Sequence, residues 1–447
     1  MNNIKTALLS LTALLILIFP IPHTISIRSI AALLILLLLL FMFKNIKNYK
    51  LNKEIKYMSA LILVLTLWIY FVAFFISDET SWSLGEIKSG WLTPMLYFFT
   101  FLMLGIYSTT VDKAFQKNIY IAIFLMFFVH IAYIDLYALK YYAEHKIIIS
   151  RFEGLTEGPD KSNYLTNILL SFIMTEIIYR FRTRKNFLNI NNFMLTTLFI
   201  LTIFSSIFEG MRNGVVAILF LGITSTIFSL YNNKYFTKKF KMIITLFIVI
   251  LIAIPAIYSF KNDSRWSTLI QTVPIALDTK NNRNWIDSKE SLPKLNNGTT
   301  VSDSNYKRIA WFYEGLKLII EHPLGMGFGR NAFGHGIKKK YHLQKQTGHS
   351  HSGLIDLGVG IGIVGVLLWS MFCLYIIYMS YKYIMLYNSY FAIIVFFNIT
   401  GFYSRFLVDS NMRDHMFQTF LVILGISLIY MFKDKEDYEK NKLHTGK

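Results

Sequence analysis

A single cysteine, Cys373, stands among 447 residues, so no disulfide can form within the chain and no cysteine-rich metal site can be built. No Asp-x-Asp pair occurs, the carboxylate couple that metal-dependent nucleotide-sugar transferases commonly present. A phosphate-binding P-loop is missing too. The glycines of LGMGFGRNAFG imitate a dinucleotide fingerprint, but no parallel-sheet unit surrounds them, so they do not argue for a nucleotide. The chain also has no convincing internal repeat, low-complexity tract or soluble basic domain. Its formal net charge of +19 therefore does not point to nucleic acid.

What the chain does have is apolar residue in blocks. Hydrophobic residues make up 54% and aromatics 16%, and the mean hydropathy is +0.45, well above a soluble globular composition. The blocks run about 17–25 residues, the length that crosses a bilayer as a helix. The pattern predicts an all-α polytopic membrane protein, a single integral membrane domain over residues 1–447. About twelve spans are expected, near 7–21, 27–43, 58–77, 92–109, 118–138, 163–180, 193–209, 213–231, 242–260, 352–380, 389–407 and 415–432. The first block lacks a small-residue cleavage site and leads at His23-Thr24 into the next, so it reads as a retained helix rather than a signal peptide.

Loop charge sets the orientation. Lys44, Lys47, Lys50, Lys53 and Lys56 follow span two, and Lys113 and Lys117 follow span four. Arg180, Arg182, Arg184 and Lys185 follow span six, while Lys234, Lys238, Lys239 and Lys241 follow span eight; the tail from Lys433 is again lysine-rich. All fall on one side, which the positive-inside rule makes cytoplasmic, with both termini there. The loop at 78–91, with Asp78, Glu79 and Glu86, lies opposite.

Two outer loops are long, 140–162 and 261–351. A loop of the second length is usually functional or disordered. Its part from Asn281 to Thr300 reads as flexible. From Ser304 to Glu321, Ile309, Phe312, Leu316, Ile319 and Ile320 recur at helical spacing, with Asp303 or Ser304 as cap and Pro323 ending the helix. A glycine turn, LGMGFG, and a short helix near 331–341 should follow. The stretch Asp303–Gly365 holds five of the ten histidines, His322, His335, His342, His349 and His351.

Candidate chemistry sits on the outer side. Arg212, in the short turn FEGMRNGV, is a charge at a membrane surface, costly unless paired and so functional by default; Glu209 is its nearest partner in sequence. Arg308 opens the amphipathic helix, where it opposes the helix dipole and would instead favour an anionic ligand. Arg151 lies in the other long loop and reads equally as a solvated charge. His349 and His351 form HSH ahead of span ten. Without a third ligand close by they are a weak metal pair, whereas a single interfacial histidine can act as a general base. His322, His335 and His342 read as structural or solvated, and no chemistry is assigned to His130 or Asp135.

The stretch Arg308–Gly327, RIAWFYEGLKLIIEHPLGMG, followed by HSHSGLIDLGVGIGIVG at 349–365, resembles the bacterial O-antigen ligase and lipid-linked polysaccharide polymerase superfamily. Ser352 stands where that family usually has asparagine, and Asp356 where it has glutamate. Arg212 in a short outer turn, and a large outer loop before the last three spans, are similar to the family as well. The resemblance implies an inverting glycosyltransferase of the bacterial inner membrane, with a periplasmic active site and neither metal nor cofactor. It implies a polysaccharide donor on undecaprenyl diphosphate and a lipid A–core acceptor. It further implies His351 as the base and Arg212 and Arg308 on the diphosphate, with Arg151 as a secondary contact and His349, Asp356 and Glu209 in supporting positions. A polymerase of the same superfamily would use the same residues, and a protein-glycan ligase is a further alternative. A twelve-span transporter fits less well, because the two halves of the chain do not look alike.

Overall fold

A computed structural model describes residues 2–42, 52–230, 268–345 and 348–445, with scattered positions between 231 and 267. Every expected span except 242–260 falls on a described helix; that one, and the lysine-rich loops at 44–50 and 234–241, lie largely outside the described residues. The helices are α1 (Asn2–Ile18), α2 (Ile25–Phe41), α3 (Lys53–Phe75), α4 (Thr80–Ile87), α5 (Thr93–Val111), α6 (Lys113–His145), α7 (Pro159–Thr183), α8 (Asn192–Glu209) and α9 (Arg212–Leu230). The outer loop contributes α10 (Leu269–Leu277), α11 (Asp303–Glu321) and α12 (Ala332–Lys340), and the chain closes with α13 (Gly353–Tyr387), α14 (Tyr390–Val408) and α15 (Asp414–Thr445). A π-helical turn, Lys88–Leu92, joins α4 to α5 into one membrane-length rod.

Among the described residues eight helices, counting that rod as one, are long and apolar enough to cross a membrane, which makes this a multi-pass membrane protein. α1 and α2 are apolar but 17 residues each. α7 has the length, yet it carries buried Ser162, Asn163, Thr166, Ser171, Thr175 and Glu176. It runs through the bundle interior, where those groups find partners. α15 is the axis: 94% of its most apolar window is buried, against 33% for the lipid-facing α3. Gly105 and Gly425 allow α5 and α15 to touch, since a Cβ at Gly425 would sit 2.7 Å from the Phe98 carbonyl oxygen.

The described parts of the loops expected on the basic side do meet at one end. Lys113 pairs with Asp437 at 2.8 Å and Lys435 with Glu54 at 3.1 Å. Arg182 spends all three nitrogens on Asn388 and the carbonyls of Phe228 and Ile384. The opposite end carries the outer loop.

That loop is more ordered than its composition suggests. The segment 281–300 reads as flexible, but the structure folds it onto α11: Trp285 and Leu295, with Val301 just after them, join Tyr306, Ala310 and Leu318 in a small separate core. Its polar backbone is satisfied locally, with Trp285 Nε1 donating to the Thr279 carbonyl at 3.1 Å and Tyr306 Oη to that of Asn282 at 2.6 Å. The apolar anchors are too sparse for a periodicity to reveal. Helices α11 and α12 lie where expected, and the first ends at His322 before Pro323.

The glycine turn does more than redirect the chain. α13 is broken at Ile361 (φ −126°) and Gly362 (φ +70°). The turn fills the gap: Met326 N donates to the Val359 carbonyl at 2.9 Å, Gly327 N to that of Gly360 at 3.0 Å, and Ile363 N to that of Pro323 at 2.9 Å. Trp68 Nε1 takes the Ile361 carbonyl at 2.8 Å. A helix interrupted inside a membrane protein needs such substitutes, because lipid offers none. Gly315 and Gly358 of the motif stretch are contact points, the first packing on Ile355 and the second on Ile319, where any side chain would collide.

Candidate active site

Three separate segments meet around one cavity of about 900 Å³ on the outer-loop side of the bundle. Gly210, at φ +61°, turns α8 into α9, so Arg212 is the first residue of α9. Its Nη1 donates to Asn305 Oδ1 at 2.9 Å, and its guanidinium lies 5.4 Å from the Trp266 ring centroid. Asn305 is in the first turn of α11, and Arg308 follows one turn later. Arg212, Asn305 and Arg308 all line the cavity. Trp311, three residues further, stacks on His351 at 5.5 Å between centroids and 13° between planes.

His351 also lines the cavity and sits in left-handed backbone, φ +57°. Its ring lies 4.2 Å from that of His349. Burial, then the neighbouring Arg308, push the His351 pKa below the ordinary imidazole value. Burial, then Arg413 and His351, drive His349 down to about 3. Both rings are neutral near pH 7, the form a proton acceptor needs. The HSHSG turn is pinned from below by Asp356, which accepts from Ser350 N at 3.0 Å and Ser410 Oγ at 2.5 Å. Ser352 caps α13 and donates to the Leu407 carbonyl at 2.9 Å.

Glu209 requires a correction. It does not pair with Arg212; it is fully buried and accepts from Ser162 at 2.8 Å, Asn163 at 2.7 Å and Thr166 at 2.6 Å. A side chain at the end of α8 leans back toward its own preceding turn and so reaches α7, while Arg212 has turned the corner. Glu209 thus anchors the turn that carries Arg212. Arg151 is exposed, packs beside Gly210 and is not among the cavity's lining residues. His335 is buried and stacked 4.5 Å from Trp82, whereas His322 and His342 are exposed, as their structural or solvated reading has it. Among the described residues no group of three His, Cys, Asp or Glu could hold a metal ion.

One cation was not singled out in the sequence. Arg405, near the end of α14, lines the same cavity, and its Nε donates to Asp409 Oδ2 at 2.8 Å. Burial raises the Asp409 pKa, but Arg405 and Arg308 more than offset it and hold the carboxyl below its usual range. The signal available was an arginine inside an apolar block with an aspartate four residues on, a helical pair.

Residues 197–370 match the family model described as O-antigen ligase, a stretch that contains Arg212, Arg308, His349, His351 and Asp356. No curated protein matches the chain significantly. The family match supports glycosyltransferase activity of the ligase and polymerase kind. Over that stretch, which holds the motif residues, the chain is similar to the O-antigen ligase family, and its polytopic helical fold agrees with the likeness.

Proposed function

We propose that this glycosyltransferase moves a polysaccharide from undecaprenyl diphosphate onto lipid A–core oligosaccharide at the periplasmic face of the inner membrane. The observation that supports it is the convergence of Arg212, Arg308 and His351, from three distant segments, on one cavity with a largely apolar wall. The apolar wall suits the polyprenyl chain and the arginines suit its diphosphate, which they can grip bidentately without a metal.

In this reading the acceptor sugar hydroxyl gives its proton to the neutral His351 ring as its oxygen attacks the anomeric carbon. The bond from that carbon to the diphosphate oxygen breaks, and the diphosphate leaves with the electron pair. Attack from the opposite face inverts the anomeric centre. Charge grows on the leaving oxygen, where the fixed guanidinium groups Arg212 and Arg308 are most effective. His349 buttresses His351, and Asp356 holds the turn that aims it. Arg151, outside the cavity, is left to the part of the donor that projects beyond it.

Two experiments test this. Purified protein should transfer glycan from purified donor to purified core acceptor in detergent; absence of transfer counts against it. Deletion in the native host should leave free core and full-length polysaccharide on the carrier lipid, whereas core bearing a single repeat would mean a polymerase.

A further inference from the structure

We propose that Arg405 is a third donor to the diphosphate, held by Asp409 so that one guanidinium nitrogen is left for the ligand. This rests on the donor reading above. Arg405 is 7% exposed. Its Nε and Nη2 both reach Asp409 Oδ2 at 2.8 Å, and Nη2 also donates to the Asp160 carbonyl at 2.9 Å. Its plane stands 5.5 Å from the Tyr164 ring centroid, which fixes the side chain on a further side. Nη1 is buried and meets no acceptor among the described residues.

The contrast with arginines at the other end of the bundle is informative. Arg182 satisfies Nε, Nη1 and Nη2 with three separate acceptors. Arg180 does the same through Glu176, Asn192 and the Ile190 carbonyl. Those are complete structural arginines. A buried charged donor left without an acceptor is costly, and folds rarely tolerate it unless a ligand supplies the acceptor. Arg405 belongs to the wall that Arg212, Arg308 and His351 share. Asp409 neutralises most of its charge, so its contribution is directional, two N–H groups aimed at a phosphate oxygen, rather than a further net positive charge.

The test uses the purified full-length protein in lipid nanodiscs and measures binding of undecaprenyl diphosphate, with phosphatidylglycerol as the competing anionic lipid. Arg405→Met should weaken diphosphate binding at least about tenfold, as for a charge-assisted hydrogen bond lost from a desolvated site. Arg405→Lys should recover part of it. Because Arg405→Met strands a buried carboxylate and so weakens folding, the neutral pair Arg405→Gln with Asp409→Asn serves as the second variant, and the same loss is expected. Wild-type affinity in the neutral pair, with Arg212→Met still weakened, overturns the role of Arg405 and leaves the donor reading standing. A loss of equal size for phosphatidylglycerol also overturns it, since the arginine would then serve ordinary membrane lipid. Wild-type protein with no preference for the diphosphate overturns both.

Discussion

Arg212 and Asn305, 93 residues apart, are joined by a hydrogen bond of 2.9 Å that ties the head of α9 to the first turn of the outer-loop helix α11. It sets one proposed diphosphate arginine a helical turn from the other, Arg308. Arg212→Ala and Arg308→Ala should each lower transfer about 10²–10³-fold, the scale seen when a fixed group facing developing charge is removed. Asn305→Ala should cost less, because it loosens Arg212 without deleting it. Membrane insertion, followed by detergent-stable folded protein, should be unchanged, and initial rates of glycan transfer provide the check.

His351→Ala should remove about 10²–10⁴-fold of the rate. The pH profile carries more detail. Burial and Arg308 lower the His351 pKa, so the ring is already neutral below pH 6.5 and the acid limb of kcat/KM should lie below that value. Activity rises with pH through the lowered pKa as the base loses its proton. Arg308→Gln removes one of the lowering influences, so the residual activity should show its acid limb moved upward. An acid limb unmoved in that variant would separate His351 from the step.

Asp356→Ala strips the HSHSG turn of the acceptor for Ser350 N and Ser410 Oγ. Leaving two buried donors unsatisfied costs roughly 1–3 kcal/mol each. The expected signature is a fall in kcat with little change in donor affinity, since this carboxylate holds Ser350 N and Ser410 Oγ and none of the three cavity arginines. Equilibrium donor binding beside steady-state kinetics distinguishes it from a binding defect.

Gly362→Ala should destabilise the fold by roughly 1–3 kcal/mol without touching the site. The residue sits at φ +70°, and a Cβ there would press on the Pro323 and Leu324 backbone. Thermal unfolding in detergent reads this directly. Trp68→Phe, which frees the Ile361 carbonyl, should act in the same direction by a smaller amount.

Transfer should survive EDTA, because guanidinium groups are the proposed neutralisers of the diphosphate. Activity restored only by a divalent cation would refute the arginine scheme.

Much of this was legible in the residues. Apolar block length gave nearly every described span, lysine placement grouped the loops that meet at one end, and Pro323 stopped α11 where its chemistry requires. The motif stretch carried Arg308, His351 and Asp356 to the cavity neighbourhood. What was misread has a common cause. Glu209 beside Arg212 looked like a pair because sequence distance is short, yet a helix end and a left-handed glycine send the two side chains to different layers. The segment 281–300 looked mobile because its apolar anchors, Trp285 and Leu295, are far apart in sequence, and only their convergence on α11 reveals a core.

The sequence alone determined that the chain is a helical membrane protein, since hydropathy and charge act locally, residue by residue, against lipid and water. Only the tertiary structure decided which cations stand together. Arg212, Arg308 and Arg405 lie on three helices, and whether a buried guanidinium is fully satisfied, as in Arg182, or keeps a nitrogen for a ligand, as in Arg405, depends on acceptors brought from far along the chain. Hydrogen-bond completion is a property of the packed bundle, and no spacing in the sequence encodes it.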